Sequence, residues 1–285
     1  MFAVAGVSGH TGKLVAEALL AQKKTVRVIV RDAAKGEPWK KRGAEVAVAD
    51  LGDAAALTKA LTGVTGAYLL SPPNFGAADY LADRAALLKS MVDAIRASKL
   101  PSVVFLSSIG AQHPAGTGPI VALHRAEQAL RGVAPSVTFI RASYFLENWG
   151  GVVAVAKAQG VLPFFGDTAA KFHQQATPDI ATAAVQALLS PADGTKVVEL
   201  AGKEDLSADD VAQALGTLLG KPVKAVGAPV SEAKAGLLAA GMPPVIAGLY
   251  AEMYDGMSKG LVAFENEKAV VRGSTPLVDA LRPLV

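Results

Sequence analysis

The first residues that could do chemistry form a glycine-rich loop near the amino terminus. It follows a short apolar run and precedes a helical pattern, and its candidate ligand-binding positions are Gly6, Ser8, Gly9, His10, Thr11 and Gly12. In such a context the three glycines permit a tight turn, close approach of a pyrophosphate, and close packing of the helix. The N–H groups at the helix start, with the Thr11 hydroxyl, would bind the phosphates. The pattern predicts a dinucleotide-binding loop; the alternative is a structural turn without a ligand.

The end of the second predicted strand bears on which dinucleotide would bind. A carboxylate there binds the ribose 2′-hydroxyl of NAD, whereas an arginine suits the 2′-phosphate of NADP. The sequence places Arg31 at the strand tip, with Lys35 nearby. We therefore predict that NADP(H) is preferred over NAD(H). The adjacent Asp32 leaves the NAD-type interpretation open, and both charges could instead be ordinary surface residues.

Three later segments follow predicted strands and are expected to border the same coenzyme. They are Asp50 and Leu51 beside the adenine, Ser71, Pro72, Pro73 and Asn74 at the nicotinamide end, and Ser107 and Ser108 after the fifth strand. The expectation rests on the rule that ligands bind at the carboxyl ends of parallel strands, where the strand order reverses. The two serines could equally satisfy loop backbone.

The elements that must position these residues follow an alternating pattern. Short β-rich runs alternate with alanine-rich amphipathic stretches, which predicts βαβ units and a doubly wound parallel sheet of the Rossmann type. The predicted strands are 2–5, 26–30, 45–49, 66–70, 103–106 and 137–141, and the predicted helices are 11–21, 54–61, 79–98 and 120–131.

After Arg141 the pattern is less regular. We predict a helix capped by Thr177, a strand at 196–200, a helix opening at Ser207 and ending at Gly220, and a mostly helical region from 231 to 264. These features predict a Rossmann domain over 1–150 and a smaller, interleaved lobe over 151–285. Some of that lobe, about 172–202, is expected to return to the Rossmann sheet.

Composition excludes several classes of function. The 285 residues contain no cysteine, which rules out disulfides and thiolate chemistry and favours the cytoplasm. The net charge of +3 is spread along the chain, so no nucleic-acid contact is expected. No apolar run reaches the length of a membrane helix, so no membrane contact is expected either. The four histidines lack ligand spacing, and no metal site is predicted.

Five motifs occur in the order of a known family. They are Gly6–Gly12, Val30–Asp32, Phe105–Gly110, Phe139–Asn148 and Asp179–Ala181. Over roughly residues 1–225 the chain resembles the NmrA-like, atypical short-chain dehydrogenase/reductase family. The resemblance implies a Rossmann fold that binds NADP(H). It implies either a reductase, as in the quinone and triphenylmethane-dye reductases of the family, or a catalytically silent redox sensor.

The chain departs from the wider superfamily at its usual catalytic pair. Classical members carry Tyr-x-x-x-Lys, and no tyrosine here is followed by lysine at that spacing. In the helix where the pair would fall, only His124 and Arg125 are plausible substitutes. His124 is a candidate proton donor because its ordinary pKa suits the task. The alternative is a hydrogen-bonded structural histidine.

Aromatic residues after the sixth strand could hold an acceptor. Tyr144, Phe145 and Asn148 follow that strand, and Phe165 could close the same cavity from the smaller lobe. Flat rings stack on aromatic ligands, although such residues also build cores. Tyr144 is therefore a candidate for both the catalytic and the substrate-binding set.

The sequence favours an NADPH-dependent oxidoreductase that passes hydride to a quinone-like or other electron-poor aromatic molecule. Such acceptors take protons from water or His124, so positioning is the main requirement. A non-catalytic NADP(H)-binding redox sensor is the alternative, and a reductase or isomerase of another small molecule is a third. A homodimer is also possible.

Overall fold

The chain folds into two units whose segments alternate along the sequence. The computed structural model describes all residues, Met1–Val285. The first unit comprises Met1–Ser108, Ala122–Arg141 and Ile180–Val198, and the second comprises Ile109–Val121, Ala142–Asp179 and Glu199–Val285. The domain division expected from the sequence, 1–150 and 151–285, stays a prediction.

The chain contains thirteen strands, and through its first half these strands alternate with helices. The strands are β1 (Phe2–Val4), β2 (Val26–Val30), β3 (Glu45–Val48), β4 (Gly66–Leu70), β5 (Ser102–Ser108), β6 (Ser136–Ala142), β7 (Tyr144–Phe145), β8 (Val161–Phe165), β9 (Phe172–Gln175), β10 (Gly194–Ala201), β11 (Asp205–Leu206), β12 (Lys224–Ala228) and β13 (Val271–Arg272). The six strands predicted before Arg141 are all present, and their ends differ from the prediction by at most two residues.

Eleven α-helices connect and cover these strands. They are α1 (His10–Ala21), α2 (Glu37–Lys40), α3 (Ala54–Leu61), α4 (Tyr80–Ser98), α5 (Val121–Leu130), α6 (Gly150–Gln159), α7 (Thr177–Leu189), α8 (Ala208–Leu219), α9 (Ala233–Ala239), α10 (Pro244–Ser258) and α11 (Leu277–Leu281). None of them combines the length and the apolar character that crossing a bilayer requires.

The large sheet has the strand order of a doubly wound fold. Its eight strands run β13-β10-β6-β5-β4-β1-β2-β3. β1 pairs in parallel with both β2 and β4, with Val4 opposite Val28 on one side and Tyr68 on the other. The order reverses between β1 and β4, so the loops after these strands leave from the same edge. The predicted doubly wound parallel sheet is confirmed.

One helix of the first unit, α4, buries most of the face that its apolar spacing predicts. The spacing of Leu81, Ala85, Leu88, Val92 and Ile95 predicts one buried stripe, but Ala85 is exposed and Arg84 is buried. Leu88, together with Val92 and Ile95 further along the helix, is buried as expected. The inclusion of Ala85 was wrong. The neighbouring Arg84 is buried instead, and its guanidinium donates to the Pro72 carbonyl and the Asp83 carboxylate.

The second unit contains two small sheets around its own apolar cluster. The sheets have the orders β11-β9-β7 and β12-β8. Of the segment expected to return to the Rossmann sheet, β10 lies in the eight-stranded sheet and β9 in the three-stranded one. Thr177 is the first residue of α7 instead of its cap, and its hydroxyl donates to Glu147.

Two buried carboxylates bind the carboxyl-terminal segment of the second unit. Glu199 accepts hydrogen bonds from the N–H groups of Glu265 and Asn266, both at 2.8 Å. Asp179 accepts from the N–H of Ser274 at 3.0 Å and from the Thr275 hydroxyl at 2.9 Å. Because charged acceptors bind N–H groups strongly, these contacts fix the path of the chain after α10.

The start and end of α8 match the sequence prediction. The Ser207 hydroxyl accepts from the Asp210 N–H at 3.1 Å, and the Asp210 carboxylate accepts from the Ser207 N–H at 2.8 Å. These reciprocal bonds form a capping box. Gly220 ends the helix with φ +65°, a left-handed conformation that suits glycine.

We expect Ser207→Ala to lower the free energy of unfolding by about 1 kcal/mol, because it removes the cap of α8. Urea unfolding followed by circular dichroism measures the change. Ser258→Ala, at the exposed end of α10, is the control and is expected to change stability by less than about 0.5 kcal/mol. Equal effects of the two substitutions would contradict a stabilising capping box.

Candidate functional site

The glycine loop lies between β1 and α1 and leaves the helix start without a side-chain cap. Gly6 has φ +70°, and its carbonyl accepts a hydrogen bond from the Gly9 N–H at 2.9 Å. Gly9 is the residue before α1, no side chain caps the helix, and no acidic residue occupies its first turn. The positive end of the helix dipole is therefore available to an anion.

Gly12 provides the close contact between α1 and the end of β1. A Cβ atom on Gly12 would lie 2.2 Å from the Ala5 carbonyl oxygen and 2.6 Å from that of Gly6. At Gly9 a Cβ atom would meet only the Gly6 oxygen, at 3.4 Å. The third glycine is thus required by packing, whereas the middle one leaves open space beside the backbone.

The polar residues of the loop differ in their accessibility. Ser8 and His10 are exposed, but Thr11 is buried. Thr11 lies beside the Tyr68 phenol, which is buried without a hydrogen bond of ordinary geometry. Burial raises the pKa of Tyr68, and the neighbouring Thr11 hydroxyl opposes that rise. Ser8 and His10 are consequently better placed than Thr11 to meet a ligand from solvent.

Of the charged residues after β2, the carboxylate has a hydrogen-bond partner in the chain and the two cations have none. Asp32 uses a carboxylate oxygen to accept the Ala34 N–H at 2.9 Å, which starts a short 3₁₀ turn. Arg31 and Lys35 are exposed and form no hydrogen bond or ion pair within the chain. Two cations without partners therefore flank a carboxylate that is already in use, which favours binding of an anion here.

After β3, the expected adenine neighbours serve the local structure. Asp50 is exposed and accepts the Gly52 N–H at 2.7 Å. Leu51 is partly buried and packs against the core of the first unit. Ser90 of α4 donates its hydroxyl to the Gly52 carbonyl at 2.8 Å, which fixes this turn.

The loop after β4 is held by the first turns of α4. The buried Arg84 guanidinium donates to the Pro72 carbonyl and, through Nε, to the Asp83 carboxylate at 2.9 Å. Asp83 also accepts from the Asn74 side-chain amide at 3.1 Å. The hydrogen bond from Arg84 lowers the pKa of Asp83, so the carboxylate stays charged. Ser71 and Pro73 belong to the same loop. The sequence reading missed Arg84, although an arginine within an apolar helical face was a signal.

At the end of β5, Ser107 contacts a buried ionic network. Its hydroxyl donates to Glu127 at 2.6 Å. Arg141 donates to the same carboxylate through Nε at 3.0 Å and Nη2 at 2.8 Å. Glu127 is fully buried, Ser107 nearly so, and Ser108 is half-buried. The Ser107 proton is therefore held by Glu127, a residue that sequence reasoning did not identify.

His124 lies one turn before Glu127 on α5 and is half-buried. Neither residue of the classical Tyr-x-x-x-Lys pair is present on this helix. In its place the helix carries a carboxylate that is neutralised by Arg141. Such a pair orients its neighbours through charge-assisted hydrogen bonds.

The expected substrate-pocket residues lie in the second unit. Tyr144 and Phe145 form β7 and pair with Gln174 and Gln175 of β9. Asn148 is exposed. Burial raises the pKa of Tyr144. Its hydroxyl therefore keeps its proton and can donate a hydrogen bond, but it does not readily release the proton.

Phe165 contacts an aromatic residue from a distant part of the sequence. Its ring centroid lies 5.5 Å from that of Tyr254 on α10, with the rings at 65°. Sequence reasoning did not identify Tyr254 or its neighbour Tyr250. Both are partly buried on the same helix face, a spacing of four residues that could have indicated a shared role.

Replacement of the two glycines separates packing from ligand access. We expect Gly12→Ala to lower the free energy of unfolding by about 1–3 kcal/mol, because its methyl group collides with the Ala5 carbonyl. Gly9→Ala, the matched control, is expected to cost less than about 1 kcal/mol because Gly9 has an extended backbone and open space. Thermal unfolding without coenzyme measures both. Equal losses would contradict the role of Gly12 in packing.

Comparison with known proteins finds several reductases that are similar to the chain in sequence or structure. It is 27% identical over 256 residues to an NAD(P)H azoreductase of Xenophilus azovorans, covering 89% of this chain and 86% of that protein. The structure of an Escherichia coli NADPH-dependent quinone oxidoreductase complexed with NADPH is similar, with a TM-score of 0.84, 26% identity, and coverage of 100% and 99% of the two chains. A Citrobacter sp. triphenylmethane reductase complexed with NADP(H) shares the fold, with a TM-score of 0.81, 22% identity, and coverage of 100% and 99%. The sequence profile of the NmrA-like family matches residues 1–261, and the chain therefore belongs to the NmrA-like family.

Proposed function

We propose that this protein is an NADPH-dependent oxidoreductase that transfers hydride to a quinone-like or other electron-poor aromatic molecule. The observation that carries the proposal is the uncapped start of α1 after β1, together with the unpaired Arg31 at the end of the neighbouring strand β2. The similar proteins are named as NAD(P)H-dependent azo and quinone reductases, which supports the same class of reaction.

The residues of the glycine loop fit a dinucleotide. The open side of Gly9 leaves room for a pyrophosphate, whereas a side chain there would fill it. The exposed Ser8 and His10, with the N–H groups at the start of α1, would hold the phosphates. Arg31 and Lys35 would bind a 2′-phosphate, because Asp32 already accepts a backbone N–H.

The remaining coenzyme contacts come from loops after neighbouring strands. Asp50 and Leu51 would border the adenine, and the 71–74 loop, with Ser107 and Ser108, would border the nicotinamide. Arg84 holds the first of these nicotinamide-side segments, and Glu127 holds the second. The 71–74 loop and the end of β5 are thus both positioned by buried charges before a ligand binds.

When bound, NADPH supplies a hydride. The protein has to orient the acceptor for that hydride, and the reduced acceptor has to gain a proton. An electron-poor ring needs no strong acid, because its reduced heteroatom takes a proton from water. His124 is our candidate for a side chain that donates that proton. Tyr144 would contact the acceptor with its ring and donate a hydrogen bond from its hydroxyl, which stays neutral because burial raises the pKa of Tyr144.

A redox sensor is the second candidate function, and one observation favours it. The helix that carries the catalytic pair in classical enzymes carries the charge-neutralised Glu127 here. A sensor would bind NADP⁺ and NADPH with different affinities and would not consume NADPH. The partly buried tyrosines of the second unit favour the enzyme, because a sensor has no need of an acceptor site.

Two further expectations concern the surroundings of the protein. A cytoplasmic location and a homodimer stay predictions. The expected partner is a small aromatic molecule, with neither nucleic acid nor membrane involved.

We expect Arg31→Ala to weaken NADPH binding roughly 10- to 100-fold and to leave NADH binding nearly unchanged, because a charged contact to the 2′-phosphate is lost. Isothermal titration calorimetry measures both affinities. Arg96→Ala removes an equal charge at the last turn of α4 and is the control. Equal losses for NADPH and NADH would refute the assignment of Arg31.

The reaction is tested by following NADPH absorbance with a quinone, an azo dye and a triphenylmethane dye. We expect turnover with at least the quinone, and faster turnover with NADPH than with NADH. Titration with NADP⁺ and NADPH accompanies the assay. A large difference between the affinities for NADP⁺ and NADPH, without any turnover, would favour the sensor over the reductase.

A further inference from the structure

Two tyrosines on one face of α10 lie among the aromatic residues of the second unit. Tyr250 and Tyr254 are four residues apart, so their side chains project from the same side of the helix. Tyr254 packs edge-on against Phe165. Gly236 of α9 lies behind that phenylalanine, so close that a Cβ atom would be 2.6 Å from the ring. The Phe165 ring is therefore held between two helices.

Tyr144 has an equally rigid support. Its ring lies edge-on to Trp149 at 5.8 Å and to Phe172 at 5.7 Å. Phe172 in turn stacks on Phe164 at 5.9 Å, with the planes only 9° apart. Edge-on and stacked contacts of this kind fix the orientation of each ring. The Tyr144 hydroxyl consequently has a defined position.

The backbone of α10 is also fixed, by a loop that includes two glycines. A Cβ atom on Gly118 would lie 1.9 Å from the Leu249 carbonyl, and one on Gly256 would lie 2.4 Å from the Gly116 carbonyl. The Gly116 N–H also donates to Glu252 at 3.0 Å. The helix and the loop touch without intervening side chains, so the tyrosines on α10 have little freedom to shift.

The hydroxyl groups of Tyr144 and Tyr254 have no hydrogen-bond partner in the protein, although both residues are partly buried. The two aromatic clusters meet at β8, because Phe164 belongs to the cluster of Tyr144 and the next residue, Phe165, contacts Tyr254. Burial raises the pKa of Tyr144, and the phenols of Tyr254 and Tyr250 raise it further. Both hydroxyls therefore keep their protons. Neither hydroxyl oxygen is fully buried, so both reach solvent and can donate a hydrogen bond to an oxygen atom of a ligand.

We propose that Tyr144 and Tyr254 form a pair of hydroxyl donors that binds the carbonyl oxygens of a flat acceptor, with the Phe165 ring as an apolar wall. The pair selects quinones over aromatic molecules that lack oxygen. This inference rests on the proposed reductase function and names the substrate class of that same site.

The chemistry of quinone reduction suits neutral donors. The quinone gains a hydride and one proton, and NADPH becomes NADP⁺. Hydride addition moves an electron pair onto a carbonyl oxygen, which becomes a phenolate and then takes a proton from water to give the hydroquinone. A tyrosine hydroxyl that keeps its proton stabilises the phenolate by a hydrogen bond as its charge develops.

The test compares two ligands of the same shape. Equilibrium dialysis of the full chain, with and without NADP⁺, gives dissociation constants for 1,4-naphthoquinone and for naphthalene. We expect Tyr144→Phe and Tyr254→Phe each to weaken naphthoquinone binding roughly 3- to 10-fold, the effect of one hydrogen bond, and to change naphthalene binding less than twofold. Tyr80→Phe, which removes a phenol from the start of α4, is the matched control and is expected to change neither.

Several outcomes would overturn the pair. Equal weakening for both ligands would mean that the rings pack and the hydroxyls do not bind. Unchanged naphthoquinone binding in both variants, or no binding to the wild type, would also refute it. Unfolding midpoints of the variants verify that folding is intact.

The proposed reductase is judged separately, by NADPH consumption. Selective loss of naphthoquinone binding without any NADPH turnover would support the hydroxyl pair and reject the reductase. Quinone turnover by the wild type, with the preference for naphthoquinone over naphthalene unchanged in both variants, would support the reductase and reject the hydroxyl pair.

Discussion

The contact between Gly12 and the end of β1 is the constraint on which the proposed coenzyme site depends. A helix that starts against the backbone of the preceding strand directs its unpaired N–H groups to the edge of the sheet where the strand order reverses. A side chain larger than hydrogen would displace the helix and, with it, the positive end of the dipole. The position of α1 thus determines both the packing of the first βαβ unit and its affinity for anions.

Buried charges hold the loop after β4 and the end of β5. Arg84 binds a carbonyl of the loop after β4, and Glu127 binds the serine at the end of β5. Each charge is itself paired, with Asp83 and with Arg141, respectively. Loops in a protein are usually its most mobile parts, and pairing them with desolvated ions keeps their shape before a ligand arrives. Arg84 acts through the Pro72 carbonyl, and Glu127 acts through the Ser107 hydroxyl.

Sequence patterns predicted the sheet and the place of the glycine loop between β1 and α1 because both depend on local rules. Short β-rich runs between helical stretches located the six strands before Arg141, and Ser207 with Gly220 marked both ends of α8. Arg84, Glu127 and Tyr254 were missed, because each acquires its role from a residue that is remote in sequence or on another element. The burial of Arg84 in particular reverses the usual preference of arginine for solvent.

The hydrogen bonds of Asp179 and Glu199 affect how the end of the chain should be regarded. The family profile matches residues 1–261, yet these two acids bind N–H groups that lie beyond that limit. Shortening the chain before residue 265 would strand two carboxylates in an apolar interior with no donors to replace those removed. The tail is therefore an integral part of the second unit, and an alignment that stops at the family boundary omits residues on which its buried acids rely.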